Sequence, residues 1–88
     1  MIQVKVKIFS QPVPEILDLG FEEGTCVETL LARLQREAGD GGRKSEFLGT
    51  PGMLVVLMNG QSIYSLSGWK TILHDGDEIS FLPMVAGG

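Results

Sequence analysis

Few residues in this chain could do chemistry, and the candidate placed best for it lies at the end. Val85-Ala86-Gly87-Gly88 is an apolar run closing on two glycines, so the α-carboxylate of Gly88 sits on a tip without Cβ atoms. Such a tip is narrow and takes backbone angles closed to other residues. The proline at Pro83 has no amide donor, so sheet pairing should stop near it and the following residues should leave the domain. Extended, the segment from Pro83 to Gly88 reaches about 20 Å, enough to enter another protein's active site. The expectation is a working carboxylate at Gly88, carried by a tail of Pro83, Met84, Val85, Ala86 and Gly87. Fraying of a terminal Gly-Gly is the plainer alternative.

The other reactive side chains offer less. Cys26 is the single cysteine, near a helix start whose amides can lower a thiol's pKa; a small packing residue is the expected role. One cysteine excludes an internal disulfide and a cysteine metal cluster. His74 precedes Asp75, but no serine or cysteine is paired with it, so it reads as a turn residue. Asp75-Gly76-Asp77-Glu78 lacks the spaced oxygens of a calcium loop and reads as a turn. Gly39-Asp40-Gly41-Gly42 lacks the preceding strand and the Gly-Lys-Ser/Thr ending of a phosphate loop, so it reads as a flexible connection. Trp69 reads as core or as an interaction anchor. No metal site is expected.

The elements that must position the tail follow from periodicity. Ile2, Val4, Val6 and Ile8 alternate with Gln3, Lys5, Lys7 and Phe9, which predicts a strand with one buried face. Ser10-Gln11-Pro12-Val13-Pro14 is turn chemistry, and the alternation of Leu17, Leu19 and Phe21 predicts a returning strand. Thr25 with Glu28 matches a capping box, and Val27, Leu30, Leu31, Leu34 and Ala38 recur at helical spacing, predicting a helix from Cys26 to Ala38 capped by Gly39. Asp40 to Ser45 reads as an exposed loop. The run Met53 to Met58 predicts a strand buried on both faces. Asn59-Gly60 then predicts a tight turn, with Gln61 to Tyr64 returning as an edge strand. Leu66, Ile72 and Leu73 are expected to point inward. One helix must cover one sheet, the α+β solution for 88 residues. A final strand that pairs parallel to the first, after a long excursion, makes this a β-grasp: a mixed sheet of four to five strands with one main helix on one face. Residues 1–82 form the domain and 83–88 the tail.

Composition narrows the partners. With 43% hydrophobic and 20% charged residues the chain is an ordinary globular domain. A net charge of −4 argues against nucleic acid, whose backbone selects basic surfaces. No apolar run approaches the roughly 20 residues that span a bilayer, and the chain opens on an alternating strand rather than a signal peptide. A cytoplasmic location without membrane contact is the expectation.

From Leu73 to Ile79 and from Phe81 to Gly88 the chain resembles the MoaD/ThiS sulfur carriers, ubiquitin-like β-grasp proteins ending in Gly-Gly, and most of all the small subunit of molybdopterin synthase. Length and element order extend the resemblance over essentially the whole chain. Met84 stands where a second proline is common, Leu82 where an aromatic is often found, and the segment from Gly39 to Gly52 is long. The resemblance implies a non-catalytic co-substrate with no permanently bound cofactor. An ATP-dependent adenylating enzyme activates the Gly88 carboxylate. A sulfur donor, a cysteine desulfurase or a rhodanese-like protein, then converts it to a covalent thiocarboxylate. In the molybdopterin branch the large catalytic subunit of the synthase accepts the tail, for molybdenum or tungsten cofactor assembly. Thiamine thiazole synthesis, ubiquitin-like protein modification and a plain interaction module stay open. The resemblance also implies docking through the sheet face opposite the helix, where alternation places Phe9 and Leu82 as an exposed apolar patch at the root of the tail.

Overall fold

The structure, a computed structural model, describes residues 1–10, 13–39, 46–50, 52 and 54–84. A hairpin opens it. Strand β1, Ile2–Ile8, pairs antiparallel with β2, Glu15–Phe21, in a register that sets Val4 against Leu19 and Val6 against Leu17. Strand β3 spans Leu54–Met58, β4 is the short Gln61–Ser62, and β5 is Glu78–Pro83. The sheet order is β2-β1-β5-β3-β4. The last strand therefore lies at the centre, parallel to β1 and antiparallel to β3, as the β-grasp requires.

The helix α1, Val27–Ala38, buries Val27, Leu30, Leu31 and Leu34 on one stripe. These face the inward residues of the three central strands, among them Val6, Ile8, Val56, Ile79 and Phe81. Ile8 and Val56 flank Phe81 in register, and none of the three is more than 1% exposed. Burying one such side chain stabilises the fold by roughly 1.5–3 kcal/mol. Residues 46–48 form a helical turn that adds Leu48 to this core, and the Gln35 amide donates to the Leu48 carbonyl (2.7 Å).

Several local expectations give way to the tertiary structure. The helix is capped at Cys26, not Thr25, and no side chain caps it. Thr25 is committed elsewhere: its hydroxyl donates to the Glu22 carbonyl (2.7 Å) and its own carbonyl accepts from Leu73 N (2.8 Å). Gly39 does close the helix with positive φ (74°), its amide donating to the Arg36 carbonyl, but its ψ of −161° lies outside the left-handed helical well. Strand β3 is not buried on both faces. Leu54, Val56 and Met58 are buried, whereas Val55 and Leu57 are half-buried, because α1 covers only one side of the sheet.

The edge strand after Asn59-Gly60 stops at Ser62, whose hydroxyl accepts from Tyr64 N and starts a 3₁₀ turn, Ile63–Ser65. That turn drives Ile63 into the core. A second, Gly68–Lys70, follows. Leu73 points inward as expected, but Leu66 and Ile72 are exposed. The Asn59-Gly60 turn itself forms as read, with φ of 53° and 83°. The loop expected over Asp40 to Ser45, part of the turn at Gln11-Pro12, and Met53 lie outside the described residues.

Candidate functional site

The expected root of the tail is the C-terminal end of β5. Its pairing runs to Pro83, opposite Leu54, where the ring removes the next donor. On the other side Phe9 N donates to the Phe81 carbonyl (2.9 Å), tying the exit of β1 to the same point. Pro83 and Met84 are exposed. Val85, Ala86, Gly87 and Gly88, the expected working end, lie outside the described residues.

Around this root, on the uncovered sheet face, lie the two residues expected to form a patch. Leu82 and Phe9 are both half-buried rather than freely exposed. Val55 is in register with Leu82 and Leu57 with Ser80, so β3 extends the apolar strip across the face. Val55 and Leu57 escape the sequence reading because a continuous apolar run does not reveal which side a helix covers. The signal available is the alternation in β5: once Phe81 is known to be inward, its neighbour Leu82 and the partner Val55 must be outward.

Charged side chains border this strip. Lys5 is in register with Asp18 on one side and Glu78 on the other. The Lys7 ammonium pairs with the Glu78 carboxylate. Hydrogen bonding and then the charge of Lys7 hold the Glu78 carboxyl below its ordinary range.

The remaining candidates gather at the opposite end of β5. Cys26 is the helix N-cap, paired through its backbone with Ile72. Burial pushes its thiol up, but hydrogen bonds with Thr29 and the Glu28 amide outweigh this and leave it lowered. The Asp77 carboxylate accepts from His74 N (2.8 Å) and from the Asn59 amide (3.0 Å), while Asp75 accepts from Gln3 N (2.8 Å). His74 Nδ1 is 3.9 Å from the same Asp77 carboxylate and the imidazole is mostly exposed. These carboxylates brace turns, with Gly76 at φ 87° between them. Among the described residues no group of three or more His, Cys, Asp and Glu side chains is placed to hold a metal ion, and no helix is long and apolar enough to cross a membrane. Trp69 is half-buried against the core, its ring edge-on to Tyr64 with centroids 6.5 Å apart.

Comparison with known proteins agrees with this geometry. The model of the ThiS family matches residues 6–88. No curated protein matches the sequence. Among solved structures, the Haloferax volcanii HVO 2177 protein is 26% identical with a TM-score of 0.68, over 99% of this chain and 87% of that one. The small archaeal modifier protein 1 of Methanosarcina acetivorans is 28% identical with a TM-score of 0.67, over 100% and 98%. A Pyrococcus furiosus protein assigned as molybdopterin converting factor subunit 1 is 21% identical, TM-score 0.67, over 97% and 100%, a likeness of fold. A central last strand, one main helix on one sheet face and a family match running through Gly88 lead to one conclusion: the chain belongs to the ThiS family, whose small proteins are carriers or ubiquitin-like modifiers, and has a ubiquitin-like β-grasp fold.

Proposed function

We propose that residues 83–88 are a tail carrying the Gly88 carboxylate into partner active sites, where it is activated and loaded with sulfur. The observation that carries this reading is the family match extending through Gly87-Gly88, beyond a strand whose pairing ends at Pro83. A free carboxylate has no good leaving group. Transfer of AMP from ATP, by an adenylating enzyme, makes the Gly88 carbonyl an electrophile and releases pyrophosphate. The terminal sulfur of a persulfide, held by a cysteine desulfurase or rhodanese-like donor, displaces AMP to give an acyl persulfide. A thiol then attacks the donor cysteine's sulfur in that S–S bond, forming a disulfide with it and releasing the thiocarboxylate.

The carrier contributes a rigid root and a narrow tip, and the enzymes supply the catalytic groups. Its sulfur acceptor in this proposal is a pterin precursor in a complex with the large catalytic subunit of a molybdopterin synthase, in the cytoplasm. The 28% identity to small archaeal modifier protein 1 favours a second reading, in which the activated Gly88 is joined to lysines of other proteins.

Intact mass after incubation with ATP, an activating enzyme and a sulfur donor tests the proposal. Replacement of one oxygen by sulfur is expected, and none in a variant lacking Gly88 whose far-UV circular dichroism is unchanged. Sulfur loading that persists without Gly88 overturns it, and isopeptide products in place of thiocarboxylate select the second reading.

A further inference from the structure

We propose that the cleft at the pole of the domain opposite the tail docks a protein segment presenting an aliphatic side chain flanked by Lys or Arg. This site is separate from the sheet face at the root of the tail. A cleft of about 410 Å³ opens between the loop after β2 and the segment before β5, walled by Glu23, Gly24, Ile72, His74 and Asp75. Its apolar content is Ile72, 43% exposed, with the buried Ile2 and Leu73 lining it too. A single exposed isoleucine is unremarkable on a surface. This one lies in a concave site and is held there by its backbone. The Cys26–Ile72 bridge and the hydrogen bond from Leu73 N to the Thr25 carbonyl (2.8 Å) fix the segment, so Ile72 does not turn inward when Leu73 does. The apolar surface is therefore preorganised for a partner.

Charge complementarity selects the occupant. Residues 22–25 and 72–77 hold Glu22, Glu23, Asp75 and Asp77 and neither Lys nor Arg. Asp77 is occupied by His74 N and the Asn59 amide, and one oxygen of the exposed Asp75 accepts from Gln3 N, whereas Glu22 and Glu23 are exposed; Glu23 and Asp75 stand on the cleft itself. A basic, aliphatic segment would satisfy the rim and cover Ile72, whereas an acidic one would be repelled. The length of β5, six residues, separates this pole from Pro83 by about 20 Å. A partner seated here leaves the tail free.

The test uses the full chain, labelled with ¹⁵N, titrated with a short amidated peptide of one leucine between pairs of arginines. Two control peptides replace the leucine by serine or the arginines by glutamates. Saturable amide shifts are expected at Gly24, Ile72, His74 and Asp75, with binding about tenfold weaker for the serine peptide and for the variant Ile72→Ser, and none for the glutamate peptide. Glu23→Lys, a change in an exposed loop, should weaken binding as well and decides the matter if Ile72→Ser does not fold. Equal binding of the leucine and serine peptides, shifts centred on another surface, or wild-type affinity in the folded variants overturns the proposal.

Discussion

Asp77 holds together the end of the domain from which β5 departs, and removing its carboxylate should cost far more than its small size suggests. Its side chain is 12% exposed and accepts two hydrogen bonds, from His74 N at 2.8 Å and from the Asn59 amide at 3.0 Å. Asn59 in turn receives Glu78 N on its side-chain oxygen (2.9 Å) and donates its backbone N–H to the Glu78 carbonyl (2.8 Å), so the β3–β4 turn and the start of β5 share one network. A hydrogen bond to a charged group contributes about 1.5–3 kcal/mol, which for two gives an upper bound of about 3–6 kcal/mol. Water can reach part of this site once the carboxylate is gone, so Asp77→Ala should lose about 2–3 kcal/mol. In a domain of this size that corresponds to a fall in Tm of about 10–20 °C.

Asp77→Asn keeps one acceptor but turns an amide group toward the Asn59 amide, and should fall between the two. Asp75→Ala supplies the control, since it loses one hydrogen bond at an exposed position, from Gln3 N, and should cost about 0.5–1 kcal/mol. Urea and thermal unfolding followed by circular dichroism measure all three. Asp77→Ala within about 0.5 kcal/mol of wild type, or no worse than Asp75→Ala, would refute the reasoning.

Three further outcomes are expected. Leu82→Asp, on the uncovered sheet face beside Val55, should weaken binding to the large subunit proposed as partner by about 2 kcal/mol if it is a hot spot, with circular dichroism first showing a folded variant; calorimetry at wild-type affinity would assign the docking face elsewhere. Gly87→Val places a branched side chain on the tip and should slow adenylation without changing Tm, so unchanged adenylation kinetics would discard the narrow-tip argument. The pairing with Lys7 depresses the Glu78 carboxyl below its ordinary value of 4.5. Its stabilising contribution is therefore complete above pH 4.5 and lost as pH falls through the lower folded value. A carbon-detected NMR titration should show Lys7→Gln returning Glu78 toward 4.5, with a flatter acid limb of stability.

The features legible in the chain are those that local geometry dictates. Alternation in Ile2–Ile8 implies a one-sided strand whatever it pairs with, and the 3.6-residue stripe from Val27 to Leu34 implies a helix that must lie on something apolar. Asn59-Gly60 announces its turn because both residues tolerate positive φ.

Tertiary contacts decided the rest. The side of Val55 and Leu57 depended on which of the two sheet faces α1 covers, which a uniform run of apolar residues does not encode. Thr25 lost the helix cap because its carbonyl and hydroxyl are claimed by Leu73 and Glu22, the first of them distant in sequence. Leu66, Ile72 and Leu73 are equally apolar, yet only Leu73 is buried, because the bridge at Cys26 and the bond to Thr25 set which way that segment faces. Composition supplies the tendency to bury a residue; the backbone pairing made around it determines whether that residue is placed to do so.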